Sequence, residues 1–450
     1  MSKIYDVIGV GLGPFNLGFT ALADGMDKDL DTLVLEQRSE FNWHEGILIE
    51  GTTLEVPFLA DLVTMADPSS PYSYLNYLRK RDRLYEFYFY EEFFIPRREY
   101  NEYCRWVAEN LSQIQFDRRV SAIRSNGDIF EVEARDPETG EKTVYPAQNV
   151  VMGIGSQPSV PKQLRGHSSE DVFHTASYLD HRERCLNADS ITVVGSGQSA
   201  AEVFQNLLEK QSEHDYRLDW ITRSRGFFQL IDAKLGHMIY TPEYTEYFYD
   251  LDQETKDTVL ERQDLLYKGI DPQTSDEIYD LLYERSIGAG DLDIGMIPCT
   301  EIEDIEAVGH DDRPRYTLQC TQHQEGTSFT HQSDVIVLGT GYRRPEPTFL
   351  EPLEEKIDRD EKERLQVTKD FRLKTNGVPG EIFVQNAELH THGINTPDLG
   401  LGCYRNATIL NTLAGQEVYP AGRSSTFQDF KAEAFQRDPK QLIDTPSGGD

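Results

Sequence analysis

An α/β fold with two Rossmann-like domains and a small helical insertion is predicted by three observations. An apolar strand, a glycine turn and a helix follow one another near the N-terminus and again near residue 190. A second apolar strand follows each of those helices. Two further apolar strands, at 149–161 and 334–345, each end in Gly-x-Gly and a proline. Strands alternating with helices in this way build a parallel sheet, and 450 residues suit two or three domains.

The first unit starts with IYDVIGVG at 4–11, continues through GLGPFN into LGFTALADGM, and closes with TLVLE at Glu36. Glycines at Gly11 and Gly13 let the backbone approach a pyrophosphate, and Pro14 opens the helix whose N-terminus faces that anion. Asn16 stands at the third motif position, and Glu36 can accept bonds from ribose hydroxyls. The bland alternative is an ordinary strand-to-helix turn, but strand, helix and terminal acid all sit where a dinucleotide site needs them.

The second unit, SITVVGSGQSAAEVFQNLLEK, places Gly195, Gly197, Ser199 and Ala200 in the same pattern. Its second strand, RLDWITRS, leads to Arg223 and Arg225 in place of an acid, and arginine suits a 2′-phosphate that an acid would repel. FAD is therefore expected at the first site and NADPH at the second. The segments at 149–161 and 334–345, the latter carrying Gly341 and Tyr342, are expected where the chain crosses between domains beside the flavin. The predicted order is an FAD-binding part at 1–165, an NADPH-binding domain at 185–330 and a second FAD-binding part with a substrate loop at 331–420. A helical insertion is expected at about 243–290, and a polar, loosely ordered tail at 421–450.

Composition narrows the function. The chain has 44 Lys and Arg against 78 Asp and Glu, a net charge of −34. That excludes nucleic-acid binding through general basicity. Acidity dispersed along the chain fits either adaptation to high salt or an ordinary acidic cytosolic enzyme. No run approaches 18 apolar residues and no cleavage region follows the N-terminus, so a cytosolic location with no membrane association is expected. The five cysteines form no C-x-x-C pair, so neither a zinc site nor a disulfide framework is expected.

The segments FNWHEGILIEG and VPFLADLVTMADPSSPYSYLNYL, between the two glycine motifs, and GFFQL, TPEYTEYFYDL, GTGY and QNAELHTHGI, after the second, resemble the flavin-dependent N-hydroxylating monooxygenases of siderophore biosynthesis, the lysine and ornithine N-monooxygenases. The resemblance covers about residues 4–415. It implies reduction of FAD by NADPH, reaction with O₂ to a C4a-hydroperoxyflavin, and transfer of the distal oxygen to a side-chain amine. It also implies a homo-oligomer, often a tetramer.

In the amino-acid hydroxylases of this family a lysine in the segment matching PFLADL, and an asparagine before TPEY, hold the substrate α-carboxylate. Ala60 and His237 occupy those positions here. A carboxylate buried without a partner suffers several kcal/mol of desolvation. A small diamine such as 1,3-diaminopropane, putrescine or cadaverine is therefore expected as substrate, as in the diamine branch of the family. Gly400 replaces a loop serine near the reacting amine, and Asp398, two residues before it, can bind an ammonium or cap the turn after Pro397. His237 can act as a base or replace the asparagine structurally. Trp43 and His44 match the flavin-side segment and contact the flavin or pack the core. His390 and His392 lack further metal-ligand partners, so packing or hydrogen bonding near the flavin is expected. The aromatic run at 84–94 suggests a buried or oligomer-forming surface.

Three rivals share parts of this plan. An L-lysine N6- or L-ornithine N5-monooxygenase would need another cation in the clamp. A pyridine-nucleotide disulfide reductase would need a redox-active cysteine pair, which is missing. A flavin-binding redox protein without turnover would bind FAD and form no hydroxylamine.

Overall fold

The computed structural model describes residues 3–26, 30–231, 233–288, 292–308, 315–421 and 426–435. From the N-terminus, β1 (Tyr5–Val10), α1 (Pro14–Asp24) and β2 (Thr32–Leu35) form the expected strand–helix–strand unit, with β1 and β2 parallel. All four residues of β2 and the last four of β1 are buried, which explains why both read as unbroken apolar runs: a parallel strand covered on both faces has no polar side. After α2 (Tyr74–Lys80), α3 (Leu84–Tyr90) and α4 (Arg97–Glu109) come β3 (Ile114–Gln115), β4 (Arg119–Ser125), β5 (Phe130–Arg135) and β6 (Lys142–Met152). The first sheet runs β3-β2-β1-β6-β5-β4. None of α3 is buried, so the aromatic run is a surface and the buried alternative fails.

The chain then crosses through β7 (Gln157–Pro158) to β8 (Val172–His174), α5 (Tyr178–Leu186), β9 (Ser190–Val194), α6 (Gln198–Lys210) and β10 (Arg217–Ile221). Three helices follow, α7 (Pro242–Asp250), α8 (Gln253–Arg262) and α9 (Pro272–Ser286). Each starts on a side-chain cap: Thr241, Asp252 and Asp271 accept from the N–H groups of Tyr244, Thr255 and Thr274. Proline opens α7 and α9. These three helices run from Pro242 to Ser286.

Next are β11 (Ile294–Ile297), the antiparallel strands β12 (Thr300–Val308), β13 (Arg315–Gln322) and β14 (Thr327–Ser333), and then β15 (Val335–Leu338). The parallel second sheet runs β11-β10-β9-β15-β8. It extends beyond the expected 185–330 span on both sides, because β15 pairs with β9 and β8 pairs with β15. The return crossing is β16 (Tyr342–Arg343), antiparallel to β7. The chain rejoins the first sheet as β17 (Ile382–Val384), parallel to β6, and ends in α10 (Leu389–His392) and α11 (Gly402–Ala414).

Parts of the tail at 421–450 lie outside the described residues. Its described stretch departs from the expected loose order: Phe430 packs on Tyr244 and Tyr247 of α7, at ring separations of 5.0 and 5.9 Å, and Lys431 pairs with Asp250 at 2.6 Å. Among the described residues no helix is long and apolar enough to cross a membrane.

Candidate active site

A cavity of about 2380 Å³ opens between the two sheets, and both glycine turns line it. At the first turn Gly11 has φ +84°, and a Cβ there would lie 2.8 Å from the carbonyl oxygen of Gly153, just past β6. Gly13 caps α1 with nothing within 4 Å of where its Cβ would be, so the helix N-terminus is open to the cavity. The Glu36 carboxylate accepts from the N–H of Leu12 at 2.7 Å and of Arg38 at 2.9 Å, which fixes its orientation at the end of β2. An open glycine, a free helix end and an oriented acid suit the pyrophosphate and ribose of FAD.

Asn16 does not face the cavity. It is fully buried, its amide donating to the carbonyl of Gly11 at 2.7 Å and its Oδ1 accepting from Nε2 of Gln385 at 2.7 Å. It holds the glycine turn from behind and ties it to the segment after β17. The expected cofactor contact is corrected to a positioning role, because the third residue of this helix points back into the sheet.

The second turn repeats the device. Gly195 has φ +122°, and a Cβ there would lie 2.1 Å from the carbonyl oxygen of Gly339, just past β15. Gly197 caps α6, and its missing Cβ would meet only the carbonyl oxygen of Lys268 at 3.7 Å. Ser199 and Arg223 line the cavity. Ala200 is fully buried, and a Cβ on Gly339 would come within 2.6 Å of its own, so it sets close helix–strand packing and stands outside the cavity lining. Arg225 is exposed and stands outside the cavity lining. This open turn and cation suit the pyrophosphate and 2′-phosphate of NADPH.

Between the two turns, Trp43, His44, Gly341 and Tyr342 line the cavity. The Trp43 ring packs edge-on to His44 at 4.8 Å and to Tyr100 at 5.2 Å, and Tyr342 stands between His44 and His174. His44 opens on the cavity, and enclosure by the cavity walls, with Arg97 and Arg38 nearby, lowers its imidazole to about 4. His390 and His392 are outside the lining: His390 bonds the carbonyl of Leu365 at 2.8 Å, and His392 stacks on Phe371 at 4.4 Å.

At the far end of the cavity the fold gathers Ala60, His237, Asp398 and Gly400. A Cβ at Gly400 would lie 3.0 Å from Oδ1 of Asp398 and 3.8 Å from Cβ of Ala60. Residues far apart in sequence thus share one wall, where a glycine leaves room over a carboxylate. Burial raises the Asp398 carboxyl above the usual carboxylate range, opposed by the N–H groups of Leu401 and Gly400 and by nearby Arg405 and His237. Arg405 is itself held by Glu388 at 2.7 Å and by the carbonyl of Thr396 at 2.6 Å. Its charge is therefore largely committed, and the Asp398 carboxylate is stabilised chiefly by backbone donors.

Three groups escape sequence reasoning. Arg97 on α4 makes a bidentate pair with Glu202 on α6, at 2.9 and 2.5 Å, with both side chains largely buried. Glu55 opens onto the cavity beside this pair, and its carboxyl is pushed up to about 7, first by burial and then by Glu202. Gln385 lines the cavity with its Oε1 buried and unbonded. The only signal for Gln385 was a polar residue directly after an apolar strand, and no local pattern marks the other two.

A family model described as L-lysine 6-monooxygenase/L-ornithine 5-monooxygenase matches residues 3–344. A putrescine N-hydroxylase of Shewanella oneidensis is 40% identical over 430 residues, which are 95% of this chain and 84% of that protein. The FAD-bound cadaverine monooxygenase of the desferrioxamine pathway of Erwinia amylovora superposes with a TM-score of 0.91 at 38% identity, covering 96% of this chain and 99% of that one. The ornithine N-hydroxylase of Kutzneria sp. 744, solved with reduced FAD, NADP⁺ and L-ornithine, superposes with a TM-score of 0.85 at 26% identity, covering 92% and 99%.

Proposed function

The chain belongs to the L-lysine 6-monooxygenase/L-ornithine 5-monooxygenase family of flavin- and NADPH-dependent N-hydroxylating enzymes, and on that premise we propose that its substrate is a small diamine, one of whose primary amines becomes a hydroxylamine for hydroxamate siderophore biosynthesis. Family membership makes it an enzyme, which sets aside the flavoprotein without turnover. The disulfide-reductase rival has no support either, since all five cysteines are buried and unpaired.

The observation that carries the diamine reading is the wall formed by Ala60, Gly400 and Asp398. An α-amino acid brings a carboxylate, and here it would meet a methyl group and a second carboxylate. A diamine brings an ammonium, and an ammonium at Oδ1 of Asp398 offsets the desolvation that raises its carboxyl. Gly400 leaves the space that such a head group fills. Putrescine N-hydroxylase activity in one relative and cadaverine monooxygenase activity in another support the same class.

FAD, when bound and reduced by NADPH, supplies the activation of dioxygen. The chain supplies position and protonation. The open end of α1, with Glu36, holds the flavin nucleotide, and the open end of α6, with Ser199 and Arg223, holds NADPH. Asp398 keeps the far ammonium charged, which leaves the near amine to lose its proton before it can act as a nucleophile. His237, on the wall beside Tyr240 at a ring separation of 6.1 Å, faces the substrate end. Trp43, His44 and Tyr342 wall the flavin side against water. A cytosolic homo-oligomer belongs to the same proposal.

Hydroxylamine formation by the FAD-loaded enzyme with NADPH, at low and high salt, tests this reading. Product from 1,3-diaminopropane, putrescine or cadaverine, and none from lysine or ornithine, is the expected result. Product from the amino acids alone would overturn it.

A further inference from the structure

Several of the cations lining the cavity are already paired: Arg97 with Glu202, Arg118 with Asp136 and Lys268 with Asp264. Arg344, two residues past Tyr342, is exposed on the cavity and makes no ion pair among the described residues. Its Nε donates to Oδ1 of Asn386 at 3.0 Å, which orients the guanidinium and leaves both Nη groups without a partner among the described residues. Glu388, the acid that acts on its charge, is committed to Arg405 at 2.7 Å. Enclosure by the cavity walls lowers the Arg344 guanidinium from the ordinary arginine value, opposed by Glu388 and assisted by Arg405. An oriented cation without its own counter-ion is a seat for an anion.

The first-sheet half holds this cation in place, because Asn386 lies just past β17, which pairs with β6. The second-sheet half comes up to it from the other side. Tyr267 is close enough to act on the Arg344 charge, and the carbonyl oxygen of the next residue, Lys268, is the atom nearest the missing Cβ of Gly197, at 3.7 Å. Arg344 therefore stands near the open end of α6. The first turn of that helix, Gln198 to Ala201, contains no basic residue. A pyrophosphate there finds N–H donors in its own half, while Lys268 is paired and Arg223 lies past β10 at the 2′-phosphate position.

We propose that Arg344 grips the pyrophosphate of the nicotinamide dinucleotide, so that this anion is bound from both halves at once, by the N–H groups of α6 and by the two free Nη groups. A guanidinium fork matches phosphate oxygens bidentately, and the phosphate balances a charge that the cavity wall leaves unpaired. The pyrophosphate is common to NADPH and NADH. Arg344 therefore sets affinity for either, whereas Arg223 sets the choice between them. The pyrophosphate is also unchanged when the nicotinamide is oxidised, so the same grip retains NADP⁺ in the cleft. The inference rests on α6 as the nicotinamide-nucleotide site and is independent of the choice of substrate.

Equilibrium dialysis of NADP⁺ against the oxidised, FAD-loaded full-length chain tests it, alongside anaerobic flavin reduction titrated with NADPH and with NADH. Arg344→Ala is expected to raise the NADP⁺ dissociation constant about ten- to hundredfold and to weaken NADPH and NADH by the same factor. Arg344→Lys, which keeps the charge and loses the fork, is expected to weaken NADP⁺ about three- to tenfold. Arg343→Ala, an exposed neighbour outside the cavity lining, controls for net charge and is expected to match the wild type. An unchanged NADP⁺ constant for Arg344→Ala would overturn the proposal, as would a loss confined to NADPH, which belongs to the 2′-phosphate. Arg223→Ala run in parallel separates the two assignments. If it and Arg344→Ala both spare every nucleotide, the α6 site falls as well; if it weakens NADPH and Arg344→Ala changes nothing, only the role of Arg344 falls. Should Arg344→Ala shed FAD, Arg344→Lys decides alone, and wild-type NADP⁺ affinity in that variant would overturn the proposal.

Discussion

Replacing Asp398 by Asn removes one charge from the substrate wall and little else. The N–H of Leu401 reaches Oδ1 at 3.2 Å, and an amide oxygen can still accept that bond, so the loop keeps its shape. The lost interaction is an ammonium on a carboxylate with little other cationic support, a charge-assisted bond of about 1.5–3 kcal/mol. At 1.4 kcal/mol per tenfold, KM for putrescine should rise about ten- to hundredfold. The control is a monoamine of the same length, n-butylamine, which has no far ammonium to lose. Its kcat/KM should change less than threefold on Asp398→Asn. The assay is hydroxylamine formation with NADPH at saturating O₂, comparing both amines with both proteins. Equal losses for diamine and monoamine, or an unchanged KM for putrescine, would refute the assignment of Asp398 to the far ammonium.

Gly13→Ala should abolish FAD retention while leaving the apoprotein folded, because its Cβ would enter only open cavity; Gly11→Ala, at φ +84° and 2.8 Å from a backbone oxygen, should lower the melting temperature of the apoprotein as well. Arg223→Ala should weaken NADPH more than NADH in titrations of the reduction rate, and Arg225→Ala, outside the cavity, should leave that ratio near the wild-type value. Burial holds His392 down to about 3, whereas in the unfolded chain it takes up a proton near pH 6.5, so the unfolded state binds more protons between those values and stability is lost as pH is lowered through that window. That loss is about 2 kcal/mol by pH 5, and His392→Phe should make the decline of melting temperature between pH 7 and 5 shallower. With saturating diamine, product formation should rise from neutral toward alkaline pH as the near amine loses its proton; a flat profile under rate-limiting chemistry would contradict an amine nucleophile.

The elements legible in the sequence are those whose cause is local. Gly11, Gly13, Gly195 and Gly197 announce their turns because only glycine allows the backbone approach, and Glu36 ends an apolar strand where a nucleotide acid belongs. Asn16 and Ala200 were misread because a motif gives residue types without the direction in which a helix turns them: both point back into the fold, one to donate hydrogen bonds and the other to let Gly339 approach. The strands β12–β14 escaped notice because their exposed face carries Glu and Asp among short apolar steps. The wall formed by Ala60 and Gly400 came from the resemblance, and no spacing rule joins residues so far apart. Arg97 and Glu202 were invisible for the same reason, as was the seat of Phe430 on α7.

The Arg97–Glu202 pair constrains how the two sheets can move. It joins α4, packed with the first sheet, to α6 of the second. A small slide that leaves either charge dry and unpaired costs roughly 3–5 kcal/mol, whereas an opening wide enough to hydrate both returns most of that cost. Intermediate displacements are therefore the least populated, and relative motion of the halves reduces to two states, seated or fully parted. Entry and exit of the nicotinamide nucleotide would then proceed as discrete events, and a rapid probe of the cleft should report one exchange process with two end states.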